Sequence, residues 1–178
     1  RSKFRILLIN VEGFATPKVK KYTEAFIKGS NFLLAVDEST TIKNHKAKRT
    51  KALISLGRSA SYKRILTGSP VTRSPMDLFS QCLFMDQNLL GFDSYWSFQG
   101  RYAVMRRQQM GAHAFNQVIG YRNLEELAQR LKTFSFRVTK ENVLKDVPPK
   151  VYTTREVSLT TEQMQHYQSM KKHALTVV

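Results

Sequence analysis

The sequence predicts an α/β fold built on a parallel β-sheet. Short apolar segments that favour strands, at 4–10, 31–36 and 62–67, alternate with longer segments that favour helices. Strands separated by helices in this way are typical of βαβ units, whose strands run parallel. The strands are continuously apolar rather than alternating, which favours a sheet covered on both faces.

The helices between these strands have recognisable ends. Thr16 is a suitable cap and Pro17 a suitable first residue for a helix over 17–28, which Gly29 would end. The next helix, over 46–56, is basic and is also followed by a glycine.

Beyond residue 74 the sequence predicts mainly helices. We expect helices at 74–84, 94–106 and 123–132, with a cap pair of Asn123 and Glu126 at the third, and an exposed loop at 107–121. The C-terminal part is expected to contain strands at 135–139 and 151–157, a linker at 146–150, and a helix over 160–174 capped by Thr160 and Gln163.

Composition indicates a globular protein with a polyanionic partner. The 178 residues include 29 Lys and Arg against 13 Asp and Glu, a net charge of +16, and 42% are hydrophobic. Such a charge favours nucleic acid first and an anionic membrane surface second. The longest apolar runs are far too short to cross a membrane. One cysteine, Cys82, excludes a disulfide framework within the chain and is expected in the core.

Two adjacent carboxylates, Asp37 and Glu38, follow the second predicted strand. In a parallel α/β sheet, ligands bind at the carboxyl ends of the strands. One carboxylate there could hold Mg²⁺ through its water shell, and the next could deprotonate the water that attacks a nucleotide phosphate. The alternative is an acidic pair without catalytic role, in a turn that leads into residues 39–43.

A hydroxyl-rich loop of Thr67, Gly68 and Ser69 follows the third predicted strand. Because neighbouring parallel strands end at the same edge of a sheet, we expect this loop beside the acidic pair. Its hydroxyls could sense the state of the carboxylates, and Gly68 would allow a tight turn. The alternative is an ordinary Gly-Pro turn after a strand.

The order of these motifs resembles the Swi/Snf-type ATPases of helicase superfamily two. The resemblance rests on VDEST at 36–40, IKN at 42–44, LTGSPV at 66–71, DLF at 77–79, FRVTKENVL at 136–144, VPPK at 147–150, and LT at 159–160 with Gln163 and Tyr167. It covers nearly the whole chain. The Ser-Thr pair after the acidic residues and the compact insert resemble phage and prophage members of the family.

This resemblance implies a partial RecA-like parallel sheet, the C-terminal half of a P-loop NTPase lobe. The implied divisions are 1–85 for motor lobe one, 86–134 for a helical protrusion, and 135–178 for the last strand of that lobe, a linker and the start of lobe two. The protein would act as a DNA-dependent ATPase, a helicase or double-strand translocase, in the cytoplasm of a bacterium or phage-infected cell, or in a eukaryotic nucleus.

The resemblance also assigns roles to the candidate residues. Asp37 would bind Mg-ATP through the Mg²⁺ water shell, and Glu38 would be the catalytic base of the acidic (Walker B) motif. The residues that couple the nucleotide state to nucleic acid would be Thr40, Thr67, Gly68 and Ser69.

A Gly-x-x-x-x-Gly-Lys-Ser/Thr loop, which cradles nucleotide phosphates in this class of enzyme, is absent from the sequence. By the resemblance we expect that loop before Arg1 and a second lobe after Val178. The chain would then be a middle section that neither binds ATP tightly nor hydrolyses it alone.

Nine Lys and Arg and no acidic residue lie between Ser39 and Met76. Dense, unpaired cations favour sequence-independent phosphate contacts, and therefore DNA, double-stranded by the resemblance, as partner. The candidate contacts are Lys43, Lys46, Lys48, Arg49, Lys51 and Arg73. The alternative for each is a solvated basic surface.

Aromatic residues in the insert could stack on bases or form the core of the protrusion, and the second role is favoured. They are Tyr95, Trp96, Phe98 and Tyr102. Two other classes of function stay open: a non-catalytic basic module that binds nucleic acid, and a degenerate scaffold that binds protein partners.

Overall fold

The computed structural model describes residues 4–110, 113–143, 146, 148 and 151–176. The chain forms two units, Arg1–Phe136 and Arg137–Val178. The first contains α1 (Pro17–Ile27), β1 (Leu33–Val36), α2 (Lys48–Gly57), β2 (Tyr62–Ile65), α3 (Leu78–Met85), α4 (Tyr95–Tyr102), β3 (Ala103–Met110), β4 (His113–Tyr121) and α5 (Leu124–Lys132). Short 3-10 helices lie at Val11–Ala15, Ser39–Ile42 and Pro75–Asp77. The second unit contains α6 (Lys140–Val143) and α7 (Thr161–Thr176).

Strands β1 and β2 form a parallel pair, which confirms the predicted fold class. Their register runs from Leu33 opposite Tyr62 to Val36 opposite Ile65, and α2 lies in the connection between them. The expectation of a sheet covered on both faces is wrong for these strands, because burial alternates along each of them. Val36 is buried in the core, whereas Leu33 on the other face is 59% exposed.

Residues 4–10 do not form the predicted strand. Phe4 and Leu8 are each 90% exposed, and the segment pairs with neither β1 nor β2. A strand is stable only where a neighbour supplies its ladder hydrogen bonds. Side-chain contacts hold the segment instead: Arg5 donates to the Phe26 carbonyl (3.4 Å), Ile9 packs against the core, and the Asn10 side chain caps the first 3-10 helix.

The region predicted as a long helix and a loop contains an antiparallel hairpin instead. Helix α4 ends at Tyr102, and β3 pairs with β4 from Ala103 opposite Tyr121 to Met110 opposite His113. The protrusion is therefore partly β. A two-stranded ribbon can expose both faces, so its strands need not alternate in polarity, and the Gln- and Arg-rich sequence is typical of a loop by composition alone.

Helix α5 begins differently from the predicted cap pair. Asn123 adopts a left-handed conformation (φ 55°), and its side chain donates to the Arg101 carbonyl rather than capping α5. Glu126 accepts hydrogen bonds from Arg101, Tyr102 and Arg130. The tertiary pairing with a basic residue replaces the local cap.

Helix α3 joins the two hydrophobic clusters of the first unit. Leu78, Phe79 and Cys82 pack with the protrusion residues, whereas Phe84 packs with β1 and α2. Cys82 is buried as predicted, and burial raises the pKa of its thiol to about 12. The thiol therefore stays neutral and acts as a small apolar group.

The second unit confirms the predicted cap of α7. The Thr160 backbone N–H donates to Gln163 Oε1 (3.1 Å), and the Gln163 N–H donates to Thr160 Oγ1 (3.3 Å). The strands predicted at 135–139 and 151–157 are not formed. Most of the predicted linker at 146–150 lies outside the described residues. In the part of the chain that the structure describes, no helix is both long and apolar enough to cross a bilayer.

Candidate functional site

The acidic pair lies at the carboxyl end of β1, and both side chains are exposed. The Glu38 backbone N–H donates to Asp37 Oδ1 over 2.9 Å. Glu38 itself is in the left-handed region, with φ 46° and ψ 56°. A non-glycine residue there is strained, and such strain concentrates at functional sites. The pair thus occupies the edge where parallel sheets bind ligands, in a conformation that local preference does not explain.

The loop after β2 lies beside the acidic pair, as the sequence predicts. The Leu66 N–H donates to the Val36 carbonyl (2.9 Å), and the Ser39 N–H donates to the Leu66 carbonyl (3.0 Å). These two bonds extend the parallel ladder past the last strand residues. They fix the chain on either side of Asp37 and Glu38 against the start of the 67–69 loop.

The 67–69 loop is closed by its own hydroxyls. The Ser69 N–H donates to Thr67 Oγ1 (3.2 Å), and Ser69 Oγ donates to the Val71 carbonyl (3.0 Å). Gly68 is not needed for a tight turn, since its φ is not positive and a Cβ there would meet nothing within 4 Å. No hydrogen bond joins the Thr40 side chain to this loop, and all four residues are described. Their coupling roles stay predictions.

Besides these backbone bonds, one buried side chain, which the sequence did not predict, also joins the two loops. Gln81 on α3 is 1% exposed. Its Oε1 accepts from Ser39 Oγ (2.7 Å), and its Nε2 donates to the Pro70 carbonyl (2.8 Å) and the Asp77 carbonyl (2.7 Å). Gln81 therefore connects the residue after the acidic pair with the loop after β2.

Ser80, next to Gln81, anchors the same segment from α3. Its hydroxyl donates one proton that is shared between the carbonyls of Ile42 (2.8 Å) and Lys43 (2.7 Å). The signal that could have identified both residues is the presence of two polar side chains in an otherwise apolar helix. Buried polar groups almost always have specific partners.

Lys43, one of the predicted phosphate contacts, is bound within the protein. Its ammonium contacts Thr72 Oγ1 and lies 4.0 Å from Asp77 Oδ2. Asp77 also accepts from the Thr72 N–H and hydroxyl and from the Arg73 N–H, at 2.9–3.0 Å. Burial acts to raise the pKa of Asp77, but the hydrogen bonds from Arg73 and Thr72 and the charge of Lys43 outweigh it and hold that pKa below its usual value.

Of the remaining basic candidates, one is bonded within the protein and several have side chains without a bonding partner among the described residues. Arg49 is half-buried and donates from Nε to the Thr41 carbonyl (2.9 Å), so it supports the turn after the acidic pair. The side chains of Lys48, Lys51 and Arg73 are exposed and have no partner among the described residues. These three remain available for phosphates.

The insert aromatics divide in the same way. Phe98 and Tyr102 are fully buried, which confirms the core role favoured for them. Tyr95 stacks on His45, with ring centroids 3.8 Å apart. Trp96 differs, because it is 64% exposed and Lys46 Nζ lies 5.7 Å from its ring centroid.

The donor groups at this edge suit Mg²⁺ held largely by water. Mg²⁺ keeps several waters and takes one or two carboxylates together with substrate phosphates, which the exposed Asp37 carboxylate could provide. Among the described residues, no group of three or more His, Cys, Asp or Glu forms a metal cage. The chain thus fits an ion that arrives with a nucleotide.

An acidic pair at the carboxyl edge of a parallel sheet, followed by a basic helix, is an arrangement typical of α/β proteins that bind nucleotides. The chain belongs to the SNF2-related domain family, whose model matches residues 2–178. This finding confirms the resemblance to the Swi/Snf-type ATPases at the level of the family.

Individual relatives and a solved structure support the same family. The chain is 31% identical over 145 residues to the TATA-binding protein-associated factor MOT1 of Saccharomyces cerevisiae, covering 80% of the chain and 8% of that protein. It is 30% identical over 141 residues to the DNA annealing helicase and endonuclease ZRANB3 of Mus musculus, covering 78% and 13%. Its fold is similar to the Sulfolobus solfataricus SWI2/SNF2 ATPase core in complex with dsDNA (TM-score 0.51, 26% identity), covering 85% of the chain and 30% of that core.

Proposed function

We propose that the chain is part of a DNA-dependent ATPase that moves on double-stranded DNA. The observation that carries this proposal is the acidic pair at the carboxyl edge of β1, with Glu38 held in a strained left-handed conformation. Membership of the SNF2-related family and the similarity to an ATPase core in complex with dsDNA support it.

In this proposal the two carboxylates have separate roles, in a RecA-like lobe whose acidic motif corresponds to Walker B. Asp37 orients water around the metal, and Glu38 accepts the proton of the attacking water. Mg²⁺ bound with ATP would neutralise negative charge on the phosphates. Both carboxylates are exposed, so a nucleotide could reach them without any movement of the described core.

The coupling path in this proposal passes through Gln81. A change at the acidic pair would reach Ser39, then Gln81, and through it the carbonyl of Pro70 beyond the 67–69 loop. Grip on DNA would come from free cations that contact phosphates without reading sequence, foremost Lys48 and Lys51 on α2.

Three further properties belong to the same proposal. The Asp-Glu-Ser-Thr motif supports an origin in a phage or prophage and therefore a bacterial cytoplasm. The relationship to an annealing helicase supports a helicase or translocase activity of the whole protein. Without a phosphate-binding loop in its 178 residues, the chain alone would be inactive.

The decisive substitution is Glu38→Gln in the full-length protein that carries this chain. Loss of the base should reduce DNA-stimulated ATP hydrolysis by about 10²-fold or more, because general-base catalysis contributes roughly that much. Nucleotide binding should be spared, since the amide keeps the size of the side chain. Phosphate release and binding of a fluorescent ATP analogue measure the two effects.

Glu125→Gln is the matched control, because Glu125 is an exposed carboxylate on α5 without a partner among the described residues. It should leave both measurements unchanged. Undiminished hydrolysis by Glu38→Gln would contradict the role of Glu38 as base and favour the non-catalytic basic module.

A further inference from the structure

A compact group of two aromatic residues, one histidine and one lysine joins the basic segment to the protrusion. His45 and Tyr95 stack at 3.8 Å with an interplanar angle of 18°. The Trp96 ring meets Tyr95 edge-on at 5.5 Å and His45 at 6.5 Å. We call these residues, with Lys46, the Trp96 platform. The proposed catalytic and coupling roles use none of these residues. Lys46 is one of the predicted phosphate contacts.

Both ends of the Trp96 platform are held rigidly. On one side, Asn44 bonds the Lys46 N–H through Oδ1 (2.9 Å) and the Ala47 N–H through its carbonyl (3.1 Å). On the other side, Ser94 and Ser97 form a reciprocal capping box at the start of α4. The rings are therefore pre-organised, and little conformational entropy would be lost on binding.

The Trp96 side chain is too exposed to solvent to be a core residue. Its ring neighbours support it, yet 64% of its surface is exposed, whereas Phe98 two residues later is fully buried. A large rigid aromatic ring that is supported from behind and open to solvent is the form of a stacking surface.

Two lysines, Lys46 and Lys51, lie close enough to the platform to act on His45, and the Asp77 carboxylate acts on Tyr95. Lys46 Nζ lies 5.7 Å from the Trp96 ring centroid. Burial lowers the pKa of His45, and the charges of Lys46 and Lys51 lower it further, so the imidazole is neutral near pH 7 and stacks as an uncharged ring. Both lysines are exposed and could contact phosphates on either side of a stacked base.

We propose that the Trp96 platform binds an unpaired nucleobase of a nucleic-acid strand, with Trp96 stacked on the base and Lys46 on its phosphate. A base within a duplex has neighbouring bases on both faces and offers no face to an indole, so the ligand is a single strand or an extruded base. The inference rests on nucleic acid as the partner and extends it, because the proposed grip on duplex DNA needs phosphates alone.

The test uses the intrinsic fluorescence of Trp96, which is the only tryptophan of the 178 residues. Short oligo(dT) and a blunt duplex of equal length are titrated separately, and binding of each is followed in parallel by anisotropy of a labelled strand. Oligo(dT) should quench the fluorescence saturably, and the duplex at equal occupancy should quench it far less.

Trp96→Ala should weaken oligo(dT) binding about 5- to 100-fold and duplex binding less than about twofold, whereas Trp96→Phe should retain most of the affinity for oligo(dT). Tyr22→Ala is the matched control, since Tyr22 is 67% exposed on α1 and has no ring partner among the described residues. It should change neither affinity. Because Trp96 and Tyr22 are exposed, both variants are expected to fold.

Four outcomes would overturn the inference, and they separate it from the proposed function. Equal quenching by duplex and oligo(dT) would place Trp96 on duplex DNA. Binding of both DNAs without quenching, or equal losses for Trp96→Ala on both, would remove the platform and leave the proposed grip on duplex intact. Absence of binding to either DNA would contradict the proposed function as well.

Discussion

Glu38 and Gln81 show how single residues shape the candidate site. Glu38 adopts a left-handed backbone conformation that ordinary side chains avoid, which places it under strain of roughly 1–3 kcal/mol. The surrounding bonds hold it there, since Ser39 is bonded both through its backbone to Leu66 and through its hydroxyl to Gln81. The buried amide of Gln81 is thus the support of the acidic turn.

Gln81→Leu tests this support. Leucine fills a similar volume but leaves the Ser39 hydroxyl and two backbone carbonyls without their partner in the core, so the free energy of unfolding should fall by roughly 2–4 kcal/mol. Urea denaturation of the chain measures the loss. Gln87→Leu, at an exposed position after α3, should change stability by less than about 0.5 kcal/mol. Equal effects of the two substitutions would show that the Gln81 bonds are unimportant.

At the scale of elements, α2 has its buried residues on one side and its free basic residues on the other. Leu53 and Thr50 face the core, whereas Lys48 and Lys51, three residues apart, share the exposed side. Arg49 lies between them and bonds the Thr41 carbonyl, so it ties the helix to the acidic turn. Of the basic residues of α2, only the two on the exposed side are free to bind a polyanion.

Replacing both exposed lysines of α2 with glutamate should weaken binding to duplex DNA more than about tenfold at low salt. The slope of log affinity against log salt should flatten by about 2, because each phosphate contact contributes about 0.9. The control is Lys18→Glu with Lys21→Glu, which places the same charge change at the same spacing on the exposed side of α1. Equal weakening by the two double variants would indicate a general effect of net charge instead of a contact.

The hairpin β3–β4 is an element that the sequence pattern does not predict. Helices α1, α2 and α5 and both parallel strands follow from periodicity, with Pro17 at the start of α1 and glycines near the ends of α1 and α2. The predicted Thr16 cap does not contribute a bond to α1, because its hydroxyl donates to the Gly13 carbonyl instead. The hairpin does not follow from periodicity, because its stability comes from backbone pairing between two strands whose side chains are mostly exposed. The strand predicted at 4–10 fails for the converse reason, since apolar β-prone residues without a partner strand have no ladder to join.

For the molecule as a whole, the 178 residues alone should not hydrolyse ATP. They contain the acidic pair and no phosphate-binding loop, so the nucleotide would lack the backbone cradle that positions its phosphates. Phosphate release with Mg²⁺ and duplex DNA should equal that of the Glu38→Gln chain, in samples shown to be folded by circular dichroism. Hydrolysis that Glu38→Gln abolishes would contradict this expectation.

The amino-acid sequence by itself determined the α/β class, the parallel strands, the family and the position of Asp37 and Glu38. These depend on features that are visible in the order of residues along the chain, namely apolar runs, capping residues and motif spacing. The tertiary structure alone decided that Gln81 joins the two loops, that Asp77 holds Lys43, and that Trp96 stays exposed beside His45. Those contacts join residues far apart in the chain, and a side chain's partners follow from packing in three dimensions.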